Sequence, residues 1–430
     1  EYFLNSNELI DTAIVGYDGS FQFNVDKLRV GMYRIVFENI NERGARKDNY
    51  IEILYNNEPV EIITYYDNIL DSMKVVKSED TRIYYEYLKR EINFNSKLDA
   101  IIRLMRFYNK NDKFYDVLKN EFMNQQDNIS KMISRYTINE NTRLANSIIR
   151  SKAIAMVDDD NVEESRFQVY FKKHYLDNVN FNDTMLLWTN VLGLRITNYF
   201  KMWQNNVRTQ EEYNEIIKKC IDTIMIKSST NSIVKQSIIS FLINGFNYLN
   251  NSVILEHIYN LANEDSINAK GKINEEELEL AKRKVEFNKK IKIGDYSPDI
   301  ISKDIYGKDV RLSKLDAKYK LVLFWSGECP HCVEIMPIIR DFYEDVKKNN
   351  DKKLEILALS INTMEEDVLD LVKKQNIKWI NIVEKDGWES KYVQEYGVYS
   401  TPTMVLIDSS LKVIGIPNSV EELKRLLPKN

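Results

Sequence analysis

The stretch Phe324-Trp325-Ser326-Gly327-Glu328-Cys329-Pro330-His331-Cys332 constrains this chain more than any other. It sets two cysteines in a CxxC pair where an apolar run gives way to helical spacing. Leu321 to Trp325 has the pattern of a strand buried on both faces, as in a parallel sheet. Downstream, Val333, Met336, Ile339 and Phe342 recur at helical spacing, so both thiols fall at a predicted helix N-terminus. Unpaired backbone N–H groups and the helix dipole favour an anion there, and for cysteine that anion is the thiolate. One helical turn also puts Cys329 and Cys332 on the same side, close enough to bridge. A nucleophilic thiolate beside a second thiol is the minimum equipment for disulfide exchange.

Two other readings of the pair are weaker. A zinc site needs further Cys or His ligands. Only Cys220, His174 and His257 remain outside the motif, in helix-like segments far away in sequence. A purely structural disulfide would close a loop too short to restrain much of the unfolded chain.

After the motif, Lys353 to Ser360 reads as a second strand and Glu365 to Gln375 as a helix. Gly397 to Asp408, containing Thr401-Pro402, and Leu411 to Ile416 follow. With Gly294-Asp295 and Pro298 at the entry, Phe324-Trp325, the CxxC pair, Pro337 and Thr401-Pro402, residues 293–430 resemble a thioredoxin-fold domain of the TlpA/ResA type. The resemblance implies that Pro402 is a cis proline facing the sulfurs and that the Thr401 backbone pairs with a bound substrate strand. It also implies that Cys329 is the attacking thiol and Cys332 the buried resolving thiol. Pro330 and His331 fill the variable pair, as in DsbA-type oxidants. A histidine there lowers the thiolate pKa and pushes towards an oxidising couple, whereas TlpA/ResA-like proteins are usually reductases. The direction of electron flow stays open. The family's proton-relaying acids would stand at Leu323 or Ile335, so the nearest carboxylates, Glu328 and Glu334, become the relay candidates. No cofactor is called for, because the Cys329–Cys332 disulfide carries the electrons itself.

The 430 residues suffice for two or three cores. A net charge of −5 supplies no basic footprint for nucleic acid, and no apolar run reaches the length of a membrane helix. Residues 1–76 read as a small antiparallel β-sandwich, from Phe21 and Phe23 after the Asp18-Gly19-Ser20 turn and from the runs Arg29–Phe37, Tyr50–Tyr55 and Val60–Tyr65. Residues 77–290 read as an all-α domain opening at Ser78 as N-cap. In it Cys220 lies on an apolar stripe as a small core residue, and Glu275 to Lys292 reads as a solvated connecting helix. Residues 291–430 complete a multidomain chain with a C-terminal α/β thioredoxin fold. The DGSF turn, the GMYR strand and the helical middle resemble modular cell-envelope thioredoxin proteins of Bacteroidota. That likeness implies a periplasmic location, attachment to the membrane through a lipidated segment ahead of Glu1, and protein thiols and disulfides as substrates. It also implies an upstream redox partner. The first two domains would position a partner protein or form a homodimer. The competing function is an envelope scaffold whose thioredoxin-like domain is accessory. A peroxidase is disfavoured because Trp325-Ser326-Gly327-Glu328 lacks the PxxxTxxC setting.

Overall fold

The computed structural model describes the chain except for residues 5, 25–27, 38–48, 66–67, 159–163, 205–206, 250, 267–274, 350–352, 362–363 and 428–430. It divides into two compact units, Glu1–Gly245 with Leu261–Ile273, and Phe246–Asn260 with Asn274–Asn430.

In the first unit, the described N-terminal strands form separate two-stranded antiparallel sheets, not the expected sandwich. The largest pairs Gly31–Phe37 with Asn49–Tyr55. A sandwich needs more strands on the open edge of Asn49–Tyr55, and that edge is already satisfied by a helix. Glu52 N–H donates to the Tyr85 hydroxyl at 3.0 Å, and Leu54 N–H to Thr81 Oγ1 at 3.0 Å. Thr81 Oγ1 also donates to the Leu54 carbonyl at 3.1 Å. Phe21 and Phe23 lie outside any strand, and the Phe21 ring packs edge-on against Phe37. The helix supplying Thr81 and Tyr85, Glu79–Met105, starts where Ser78 accepts the Thr81 N–H. Asp112 caps the next, Lys113–Tyr136, and the pair buries Ile101 against Leu118 and Phe122. Among the described residues five further α-helices begin in this unit, from Arg143 to Ser232, including Glu164–His174, which the hydrophobic spacing does not announce.

After Phe246–Asn260, the second unit continues with α1 (Glu275–Lys290). The sequence marks it as solvated, but Ala281, Lys284, Val285 and Phe287 are buried along one stripe, and Ile291 continues it. Abundant Glu and Lys on the other face hide that stripe in the composition. The central sheet contains β1 (Tyr319–Trp325), β2 (Leu354–Ile361), β3 (Ile380–Glu384), β4 (Thr403–Asp408) and β5 (Val413–Gly415). Its order is β3-β2-β1-β4-β5, with β1, β2 and β3 parallel and β4 antiparallel to both its neighbours. Alternate β1 residues serve two cores. Leu321, Leu323 and Trp325 pack with α2 (Pro330–Asn349), α3 (Glu365–Lys374) and α5 (Val420–Leu426). Val322 and Phe324 pack with Val393 and Tyr396 of α4 (Lys391–Tyr396). Burial on both faces explains why β1 reads as an unbroken apolar run.

Candidate active site

Where β1 ends, Ser326 shapes the turn into α2. Its hydroxyl accepts the Glu328 N–H at 3.2 Å and its carbonyl the Cys329 N–H at 3.3 Å. Pro330 opens the helix, where the missing N–H costs nothing and the fixed φ suits the first turn. Cys329 therefore stands at the capping position. Its sulfur accepts the Cys332 N–H at 3.2 Å, a group that would otherwise have no partner in the first turn. The Cys332 thiol donates to the same sulfur at 2.6 Å, and the Cys329 thiol faces the Thr401 carbonyl at 3.5 Å. The Thr401–Pro402 peptide bond is cis. Register sets this loop in place, because Thr403, the first residue of β4, lies opposite Phe324 of β1. The Thr403 hydroxyl donates back to the Ser400 carbonyl at 2.6 Å.

The two thiols are driven in opposite directions. Partial burial opposes ionisation of Cys329. Hydrogen bonding from the Cys332 thiol, the contact with Thr401 and the backbone N–H groups of Cys332 and His331 outweigh it, so its pKa falls. Cys332 is 0% exposed. Burial first, and its hydrogen bond to Cys329 second, push its pKa up to about 11. A half-buried nucleophile with a lowered pKa lies against a fully buried thiol with a raised one.

Of the residues singled out from sequence, Cys329, Cys332, Pro330, Thr401 and Pro402 meet at this one place. His331 is exposed, with Nδ1 3.9 Å from Glu334 Oε2. Glu328 and Glu334 are both on the surface, turned to solvent. Ile335, on the Cys332 side of α2, is buried with Cys332 in the apolar core. Ser326 was missed. Its signal is a serine two residues ahead of a backbone N–H in a turn, the side-chain-to-backbone pattern typical of such loops. Cys220 is buried in its own helix, with a pKa pushed up to about 12 by burial.

This contrast gives a direct expectation. At pH 7 iodoacetamide labels Cys329 alone in the reduced native chain. Raising a thiol from 9.0 to about 12 leaves Cys220 with ~10³-fold less thiolate than an ordinary cysteine. Peptide mass spectrometry checks it, and equal labelling of Cys220 would show that its helix stripe is open.

Residues 316–413 match the family model described as thioredoxin-like. The chain is similar to the thiol-disulfide oxidoreductase ResA of Bacillus thuringiensis subsp. konkukian, 31% identical over 125 residues covering 29% of this chain and 69% of the relative. ResA of Geobacillus thermodenitrificans is 25% identical over 123 residues, covering 29% of this chain and 67% of that protein. Among solved structures, a thioredoxin-like protein from Bacteroides caccae aligns with TM-score 0.44 and 20% identity, over 64% of this chain and 97% of that one. A thiol:disulfide interchange protein from Bacteroides sp. aligns with TM-score 0.29 and 25% identity, over 32% of this chain and 88% of that one. With the Cys329–Cys332 pair at the strand-to-helix junction and a ResA relative matched over two thirds of its length, the chain belongs to the thioredoxin-like thiol-disulfide oxidoreductases.

Proposed function

We propose that the protein exchanges disulfides with protein substrates in the cell envelope through Cys329-Pro330-His331-Cys332. The observation that carries this reading is the Cys329 sulfur. It sits at a helix N-terminus, takes two donors from Cys332, and faces the Thr401 carbonyl. In the reducing direction, Cys329 thiolate attacks one sulfur of a substrate disulfide. The substrate S–S bond breaks, a mixed disulfide forms, and one substrate thiolate leaves. Cys332 then gives up its proton and attacks the Cys329 sulfur, releasing the second substrate thiolate and closing Cys329–Cys332. Two electrons pass to the substrate, and an upstream dithiol partner returns them. In the oxidising direction the same steps run backwards.

The Thr401 backbone, beside the nucleophile and half-buried, offers its edge to the substrate strand. Glu328 and Glu334 are exposed, so proton exchange with solvent at the mouth of the site is the only task within their reach. No organic cofactor is required. Among the described residues no helix is long and apolar enough to cross a membrane. In the proposed arrangement a lipidated segment would hold the protein at the periplasmic face. Residues 1–76 and 77–290 would present the substrate protein or a second copy of the chain to the redox domain, 291–430.

The potential of the Cys329–Cys332 couple tests the reading and fixes its direction. A value near about −270 mV marks a reductase and one near about −120 mV an oxidant. Every ~30 mV between them is about 1.4 kcal/mol. A pair that never closes in a glutathione redox buffer would remove the proposed chemistry.

A further inference from the structure

The loop that carries Thr401 is backed by α1, which lies outside the residues 316–413 that match the family model. Three contacts make the backing. The Phe287 ring meets the Tyr399 ring edge-on, centroids 5.5 Å apart. Lys284 Nζ lies 5.6 Å from the centre of the same Tyr399 ring. Lys290 Nζ donates to the Gln394 carbonyl at 2.6 Å, at the end of α4. Gly397 separates α4 from the loop, with φ of +66°. A Cβ there would come within 2.8 Å of the Phe287 Cα, so the approach of α1 to this turn is open only to glycine.

Lys284 is an unusual residue for such a place. It is 3% exposed. Its ammonium donates to the carbonyl and the side-chain oxygen of Asn247, at 2.9 and 3.0 Å. Burial lowers its pKa to about 8, which leaves it largely charged at neutral pH. A buried cation held by two acceptors and directed at an aromatic face is an anchored contact, stronger than a solvated one of the same geometry.

We propose that Lys284 and Phe287 are positioning residues which, by holding Tyr399, set the backbone edge at Thr401 against which a polypeptide substrate aligns. The inference rests on the reading of that edge as the substrate-binding strand. Tyr399 is two residues from Thr401, so a shift of its ring moves the Thr401 carbonyl, and binding geometry is sensitive to displacements of that size. α1 reaches the sulfurs only through Thr401, one of several groups that lower the Cys329 pKa. Cys329 is set by the α2 N-terminus and by Cys332.

The test compares two disulfides on the full chain. Insulin offers a polypeptide strand; dithiobis(nitrobenzoate) offers none. Lys284→Met and Phe287→Leu are each expected to raise KM for insulin by about fivefold, with kcat and the rate with dithiobis(nitrobenzoate) changed far less. Phe287→Leu keeps an apolar side chain in the core and serves if Lys284→Met fails to fold, with the melting curve of each variant as the control. Parallel losses with both disulfides, or no change with either, overturn the proposal. A wild-type chain that turns over dithiobis(nitrobenzoate) but not insulin overturns the reading of the Thr401 edge itself, and the inference with it.

Discussion

Replacing Cys332 by serine traps the protein on its substrates. Cys332→Ser leaves the nucleophile in place and removes the thiol that releases it. Mixed disulfides at Cys329 therefore accumulate and turnover falls by ~10³-fold or more. The trap is expected to remain reactive, although it loses the Cys332 thiol, the largest of the groups that lower the Cys329 pKa, because the others survive the change. The Cys332 backbone N–H still donates to the sulfur, and Thr401 and the His331 backbone are untouched. A serine hydroxyl replaces the thiol as a donor at nearly the same position. Cys329→Ser, in contrast, removes the accessible, half-buried sulfur of the pair and yields no adducts. Non-reducing gels of whole-cell extracts, followed by identification of the bands lost on reduction, read both variants. Adducts appearing through Cys332 in Cys329→Ser would reverse the roles given to the two thiols. The trap also names the substrates, because any captured chain must reach a sulfur lying beside the Thr401 carbonyl, 3.5 Å away.

The redox pair was legible because its signals are local. A two-faced apolar strand, a CxxC and a helical stripe follow one another within a few residues, and each constrains the next. The parts that were not legible depend on partners remote in sequence. Nothing near Asn49–Tyr55 announces that Thr81 and Tyr85 will take its edge hydrogen bonds, so alternating residues looked like the start of a sandwich. The buried stripe of α1 was hidden in the same way, since Lys284 has a buried cation's role only once Asn247 and Tyr399 surround it. The relay candidates are a different case. Glu334 is two positions past Cys332, about 200° round the helix, whereas Ile335 comes back to the same side. Helix geometry alone could have set Glu334 in solvent; Glu328 lies in the turn ahead of α2. Closeness in sequence to Cys332 made both of them relay candidates, beside the commoner reading of each as a solvated surface charge.

With an apolar residue at that position, the second chemical step is expected to depend steeply on pH. Only the Cys332 thiolate can attack the mixed disulfide, and its pKa is pushed up to about 11. Burial is the larger cause and persists when Cys329 is bonded to a substrate; the smaller cause, the hydrogen bond to the Cys329 sulfur, weakens. Between pH 7 and 9 the rate of release in a single turnover should therefore rise by ~10-fold per pH unit. The first step, attack by Cys329, should level off below the ordinary thiol range because its pKa is lowered. The same shifts act on the stability of the reduced chain. Cys332, raised on folding, contributes stability that is whole below its ordinary value of 9.0 and is lost as pH climbs through about 11. Cys329, lowered on folding, contributes in the opposite sense, with stability present above that ordinary value and lost as pH falls through its own shifted one. Stopped-flow fluorescence of a labelled peptide disulfide measures release, with Glu328→Gln and Glu334→Gln as comparisons. Both variants should follow the wild-type slope, since both carboxylates face solvent. A wild-type profile that is already flat below pH 8, and that becomes steep in either variant, would mean that a surface carboxylate reaches the resolving thiol after all and that burial is not what governs it.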